Sequence, residues 1–253
     1  MGKIISFANQ KGGVGKTTSA INVAAALGVL GYKVLLIDLD PQGNATSGVG
    51  IAKKNLKATV FDLLTTDASA ESVMIKTEFD NLWVIPTQTT LARAEYELSE
   101  VEQGEYILKQ KLDAIRDKFD YMIIDCPPSL GLLTVNAATA SDGIIIPMQC
   151  EYYALEGLSQ FSTTVGHIKK RYNPRLNLTG ILLTMYNPRL ALTVQVRAEL
   201  EKHYGNRVFA ATIGRNVRLS EAPSFGRPIL YHDKRAKGAL DYMQFAKELH
   251  DRP

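Results

Sequence analysis

The run Asn9-Gln10-Lys11-Gly12-Gly13-Val14-Gly15-Lys16-Thr17-Thr18 contains the residue types that hold phosphate. Glycines let a backbone curl so that successive N–H groups point inward at an anion, and a following helix N-terminus adds partial positive charge. Lys16 would then reach the β- and γ-phosphates of a nucleotide, and the Thr17 hydroxyl would ligate Mg²⁺. Against the pattern G-x-x-x-x-G-K-[ST], Gln10 stands where the first glycine belongs, so the extra lysine, Lys11, is the distinctive feature. A purely structural glycine turn accounts poorly for Gly-Lys-Thr placed between a strand-like run and the Ala-rich helical stretch Ser19 to Leu27. Two further segments end in carboxylates. Tyr121 to Ile124 leads into Asp125, which could position a metal's water shell, and Val34 to Ile37 leads into Asp38-Leu39-Asp40-Pro41-Gln42-Gly43-Asn44, where Asp40 could orient an attacking water. Phosphoryl transfer is mainly positioning and charge stabilisation, so a carboxylate for water and a lysine for developing γ-phosphate charge are the parts it needs. Asp38 reads better as a residue that finishes the strand.

These groups need a scaffold that brings strand ends together. Apolar runs at Ile4 to Ala8, Val34 to Ile37, Leu82 to Ile85, Tyr121 to Ile124, Gly143 to Ile146, Leu178 to Leu183 and Val208 to Ile213 read as strands. Most are continuous rather than alternating, as expected where helices cover both faces of a parallel sheet. Between them Leu108, Leu112, Ile115 and Phe119 recur at helical spacing, as do Tyr242, Phe245, Ala246 and Leu249. The pattern predicts a doubly wound α/β fold: a predominantly parallel twisted sheet flanked by helices, with ligands at the carboxyl ends of its strands. Val49 to Asp80 is the least patterned stretch and reads as a peripheral helical excursion. With no linker, repeat or low-complexity tract, residues 1–253 read as a single domain.

Composition narrows the function classes. At 45% hydrophobic and 22% charged residues the chain can bury a large core. No apolar run is long enough to span a bilayer, the start carries no secretory pattern, and two cysteines make no disulfide framework, so the expected compartment is the cytoplasm. The net charge of +3 hides an asymmetry: residues 1–166 hold 13 Lys and Arg against 19 Asp and Glu, whereas residues 167–253 hold 16 against 7. Such a basic third suits a nucleic-acid or anionic membrane surface as well as an ordinary solvated face.

Taken together, Lys11 to Thr18, Asp38 to Asn44, Ile123-Ile124-Asp125-Cys126-Pro127-Pro128, Gln149-Cys150-Glu151-Tyr152-Tyr153-Ala154-Leu155-Glu156-Gly157-Leu158 and Arg215-Asn216-Val217-Arg218-Leu219-Ser220-Glu221-Ala222-Pro223 resemble the ParA/Soj family of partitioning ATPases, within the deviant Walker A P-loop proteins. The motifs run along nearly the whole chain. The resemblance implies a P-loop NTPase fold and an ATP- and Mg²⁺-dependent hydrolase, weak alone, that forms a nucleotide-sandwich homodimer. It implies ATP contacts from Lys11, Gly12, Gly13, Val14, Gly15, Lys16, Thr17 and Thr18, with Thr17 on the metal. Lys11 would reach across to the partner's phosphates, Asp40 would face the hydrolytic water and Asp125 would take the Walker B position. By the same analogy Gly214 and Asn216 would lie beside adenine and Glu151 near ribose; many relatives have Pro where this chain has Gly214. Arg189 and Arg218 match positions that bind double-stranded DNA without sequence preference. Implied partners are a ParB-like protein that stimulates hydrolysis and the replication initiator DnaA, and the implied location is the nucleoid.

Two rival readings share the loop type. A membrane-placed relative of the MinD type would end in an amphipathic anchor, but only Lys247 and Arg252 flank the apolar stripe near the end, which therefore reads as core packing. A dethiobiotin-synthetase-like ligase or an iron-protein-like reductase is the other. Cys126 sits in Cys-Pro-Pro and Cys150 in Gln-Cys-Glu, contexts that suit buried structural thiols better than cluster ligands.

Overall fold

The computed structural model describes residues 2–151 and 154–252. Its elements begin with β1 (Lys3–Phe7), α1 (Lys16–Val29), β2 (Val34–Asp38), α2 (Asn44–Gly48), α3 (Val60–Thr65) and α4 (Ala70–Val73). They continue with β3 (Ile75–Lys76), β4 (Leu82–Ile85), α5 (Ala94–Ser99), α6 (Ile107–Asp113), β5 (Tyr121–Asp125), α7 (Leu132–Ala140) and β6 (Gly143–Gln149). The remainder comprises α8 (Ala154–Arg171), β7 (Asn177–Tyr186), α9 (Ala191–Tyr204), β8 (Ile213–Gly214), α10 (Val217–Glu221), α11 (Ile229–His232) and α12 (Lys237–Asp251).

The eight strands form one sheet in the order β3-β4-β2-β5-β1-β6-β7-β8. Every pairing is parallel except that of β3 with β4. Because successive side chains point to opposite faces of a strand, each apolar run serves two cores at once. Ile4, Leu35, Ile37, Met122 and Ile124 pack on the face covered by α3 and α5 to α9. Ile5, Phe7, Val34, Leu36 and Ile123 pack on the other, under α1 and α12. This explains why the strands read as unbroken apolar runs. Tyr242, Phe245, Ala246 and Leu249 of α12 are at most 1% exposed, so the terminal stripe is core and not a free membrane-binding face. No helix among the described residues is long and apolar enough to cross a membrane.

The stretch Val208 to Ile213 departs from expectation, because it is not one strand. Val208 makes a lone bridge to Ile181, and sheet pairing resumes only at Ile213. Between them the Glu248 carboxylate of α12 accepts the N–H groups of Ala210 and Ala211, at 2.9 and 2.8 Å, and so satisfies donors that a strand would have given to the sheet. The excursion from Val49 to Asp80 contains α3 and α4, and it also supplies the two-residue antiparallel edge strand β3, too short to show a period.

The end of α1 is fixed by a close approach. A Cβ on Gly28 would lie 2.2 Å from the Asp80 carbonyl oxygen, and Asn81 Nδ2 donates to the Gly28 carbonyl at 3.1 Å. Gly28→Ala should therefore cost about 1–3 kcal/mol of overpacking strain. In thermal unfolding this is a fall in Tm of roughly 2–10 °C; an unchanged Tm would show that the Asp80 turn gives way freely.

Candidate phosphate-binding site

The loop from Ala8 to Gly15 leaves the carboxyl end of β1, the strand flanked by β5 and β6, and delivers the chain into α1. Gly13 and Gly15 adopt φ of 72° and 88°, the left-handed region where a side chain is strained, and this curl turns the loop around the helix N-terminus. No side chain caps α1, and a Cβ built on Gly12 or Gly13 would meet nothing within 4 Å, so the loop's mouth is open to an anion. Val14 is buried, whereas Thr17 and Thr18 are half-buried on the first turn.

Three contacts from distant elements hold the loop's shape. Thr184 Oγ1 on β7 lies 2.7 Å from the Val14 carbonyl oxygen and 3.1 Å from that of Met148. Gln149 Nε2 donates to the Gly13 carbonyl at 2.9 Å, and Asn9 Nδ2 to the Pro147 carbonyl at 2.8 Å. Local motif reading missed Thr184, since it carries no pattern of its own and acts on a residue 170 positions away.

Lys16 is 6% exposed, and its ammonium donates to the Lys11 carbonyl at 3.2 Å. Burial pulls its pKa below the usual lysine value, opposed chiefly by the Asp125 carboxylate. Lys11 differs: its half-exposed ammonium pairs with the Glu151 carboxylate of the same chain. The family-implied position of Lys11 on a partner's phosphates, and that of Glu151 at ribose, both require this pair to open. Tyr152 and Tyr153, in the motif around Glu151, lie outside the described residues.

The three aspartates play different parts. Asp38 Oδ2 accepts from Thr46 N and Oγ1 at 2.7 and 2.6 Å, so this fully buried carboxylate ties β2 to α2 and is structural. Burial raises its pKa to about 6 against the pull of those bonds. Asp40 is 7% exposed; its Oδ1 accepts from Gln42 N at 2.9 Å, leaving Oδ2 as the oxygen that can orient water. Asp125, beside Asp38 in register, is fully buried with neither carboxylate oxygen hydrogen-bonded. Burial first, and then the Asp38 charge, hold its pKa well above the ordinary range; the Thr17 hydroxyl and Lys16 oppose this, the hydroxyl lying outside hydrogen-bond geometry. Buried polar atoms are nearly always partnered, so this orphaned carboxylate marks a place for a ligand. A hydrated divalent cation fits: Thr17 would supply a hydroxyl ligand, and Asp125 would accept from the cation's water shell.

Beside Gly15 and Thr18 opens a cavity of about 450 Å³, lined by Met185, Gly214, Asn216 and Val217 among others. Asn216 Oδ1 caps α10 by accepting from Leu219 N at 3.0 Å, while Asp241 Oδ2 accepts from Gly214 N at 3.1 Å and steadies that wall from α12. Gly214 and Asn216 thus border a chamber continuous with the phosphate loop. Arg189 and Arg218 are exposed and do not line it, although Val217 and Leu219 on either side of Arg218 do; Arg218 is ion-paired to Glu221 at 3.0 Å. Cys126 is fully buried beside Asp125, and burial raises its thiol pKa, while the half-buried Cys150 is pushed up to about 11. Neither thiol is disposed to ionise, which fits structural roles.

Known proteins resemble this chain over nearly its whole length. A family model described as an AAA domain matches residues 2–178. The sporulation initiation inhibitor protein Soj of Bacillus subtilis is 52% identical over 98% of both chains. The chromosome-partitioning ATPase Soj of Treponema pallidum is 46% identical over 98% of this chain and 97% of its own. Among solved structures, cobyrinic acid a,c-diamide synthase from Mycobacterium smegmatis with a bound ATP analogue and magnesium superposes with a TM-score of 0.85, at 36% identity over 98% of this chain and 93% of that one. With identity near half over full length and a deviant phosphate loop on a mostly parallel sheet, the chain belongs to the ParA/Soj family of chromosome-partitioning P-loop ATPases.

Proposed function

We propose that residues 1–253 act as one ATPase domain that converts nucleotide state into reversible DNA attachment. The observation that carries the ATPase part is the unpartnered, buried carboxylate of Asp125, set at a strand end beside Lys16 and Thr17. Bound Mg²⁺ would neutralise charge on the β- and γ-phosphates. The chain's own residues do the rest. The glycine loop and Lys16 hold the phosphates, Thr17 and Asp125 orient the metal and its water shell, and Asp40 Oδ2 aligns the attacking water. Gly214 and Asn216 border the base chamber, and Glu151 turns toward ribose once Lys11 leaves it. Lys11 then completes the partner's site, so that turnover requires a homodimer.

The basic third, residues 167–253, faces DNA in this reading, through Arg189 and Arg218 in particular. Such contacts go to phosphate and carry no sequence information. Nucleotide control follows from a difference in DNA affinity between the ATP and ADP states. A ParB-like partner stimulates hydrolysis and release, DnaA is a further partner, and the working location is the nucleoid, without membrane attachment.

Binding of a random-sequence duplex should appear with a non-hydrolysable ATP analogue and be absent with ADP or no nucleotide. Affinity should fall steeply with salt. Arg189→Ala and Arg218→Ala should each weaken binding uniformly across sequences and lower the salt slope by about one. Absence of DNA binding in every nucleotide state, with ATP still bound, would overturn the segregation reading.

A further inference from the structure

One backbone outlier lies on the wall of the chamber beside the phosphate loop. Among the described residues, Asn81, Gln103 and Met185 are the non-glycine positions with positive φ, at 51°, 59° and 49°. Asn81 and Gln103 sit in turns, where a left-handed residue helps to reverse the chain, but Met185 lies inside strand β7. For a methionine this region is strained, and such strain persists only where the surrounding structure imposes it. A bulge imposes it here. Thr184 pairs with Ile213 and Tyr186 with Gly214, so two steps along β7 match one step along β8, and Met185 is the extra residue.

The bulge changes where side chains go. Successive residues of a regular strand point to opposite faces of the sheet, yet Thr184 and Met185 both line the chamber of about 450 Å³. Thr184 is accounted for by its contact with the Val14 carbonyl, which holds the phosphate loop. Met185 is half-buried and packs into neither hydrophobic core, so core packing does not offset its strain. Its apolar surface is given to the chamber, together with Val217 and Pro223. A polarizable thioether on an unbranched chain packs well against flat aromatic rings. We propose that Met185 is a specificity-determining residue: the bulge aims its thioether at the chamber, where it packs against the ring of the nucleotide base and makes the site prefer a purine to a smaller pyrimidine. This role rests on the reading of the chamber as the base site, and it adds a wall supplied by β7 to the one formed by Gly214 and Asn216.

Displacement of a fluorescent ATP analogue from the full chain, with Mg²⁺ present, gives the affinities for ATP and CTP. Wild type should hold ATP at least about tenfold more tightly than CTP. Equal affinities would overturn the base-site reading, and this inference with it. Given the preference, Met185→Ala and Met185→Gly should each reduce it to about threefold or less, by weakening ATP and leaving CTP nearly unchanged, whereas Met185→Leu should keep most of it. Thermal unfolding reads the backbone separately. Glycine ordinarily destabilises relative to alanine, but at this φ the order should reverse, with Met185→Gly unfolding above Met185→Ala. An undiminished preference in both truncations would overturn the role, with the base-site reading left standing. So would a loss in Met185→Ala that Met185→Gly restores, which signals backbone geometry in place of side-chain contact. Methyl NMR of wild-type protein labelled at methionine does not depend on either truncation. The Met185 methyl resonance, assigned with Met185→Leu, should move upfield under the base's ring current with a non-hydrolysable ATP analogue and much less with the CTP counterpart; an unmoved resonance would overturn the contact.

Discussion

Asp40→Ala should reduce ATP turnover by at least about 100-fold while nucleotide binding survives, because in the proposed mechanism Asp40 acts on water and not on the phosphates. Its side chain stands past the carboxyl end of β2, with one oxygen held by Gln42 N and the other free for a proton. Alanine removes the charge and the turn bond together. Asp40→Asn separates them, since the amide oxygen can still accept from Gln42 N while the group no longer attracts a proton. Equal losses in both variants would assign the effect to the carboxylate; a loss confined to alanine would assign it to the geometry of the Asp40–Gly43 turn. Single-turnover phosphate release measured beside the affinity of a fluorescent ATP analogue distinguishes these outcomes, and undiminished release from Asp40→Asn would remove Asp40 from the reaction.

Asp125→Asn should raise the stability of the nucleotide-free protein while abolishing Mg²⁺-dependent turnover. The wild-type carboxylate is buried beside Asp38 without a hydrogen bond, so its ionised form is disfavoured in the folded chain. A carboxyl whose folded pKa lies above the unfolded value binds its proton more tightly when folded. It therefore lowers stability increasingly as pH rises above about 4, the unfolded value, until the folded pKa is passed. The gain from Asp125→Asn should be near zero at pH 3–4 and greatest at neutral pH, where a relieved penalty of about 1–3 kcal/mol corresponds to a rise in Tm of roughly 2–10 °C. Saturating Mg²⁺ and ATP should reverse the order, because ligand stabilises only the chain that binds it. Calorimetric unfolding of both proteins across this pH range is the measurement, and a pH-independent difference would show that Asp125 is not the titrating group. Asp38 lies beside Asp125 in register and titrates with it, so the pH dependence of the difference belongs to the pair.

Much of the scaffold is legible in the chain because its signals are local. A strand buried on both faces must be continuously apolar, and the runs at Ile4, Val34, Leu82, Tyr121, Gly143 and Leu178 all became strands. The glycine loop is legible for the same reason, since its curl is set by residues within ten positions that can adopt positive φ. Asp40 and Asp125 could be singled out because a polar residue ending an apolar run must emerge at the strand's end. Val208 to Ile213 misled because its apolar content was correct, yet Glu248, nearly forty positions away, took two of its backbone donors.

Residue types and their spacing specify the chemically competent groups and the strand ends that bear them. The tertiary structure alone decided how those groups are occupied. Asp38 and Asp125 look alike as residues that close apolar strands, but Thr46 satisfies the first and none of the described residues satisfies the second. Lys11 and Lys16 are five positions apart, yet Glu151, brought across from beyond β6, engages one while burial among aspartates surrounds the other. Spacing along a chain encodes which face a side chain takes within its own element; which distant donor or acceptor meets it depends on the order of strands in the sheet, and that order emerges only when the elements pack.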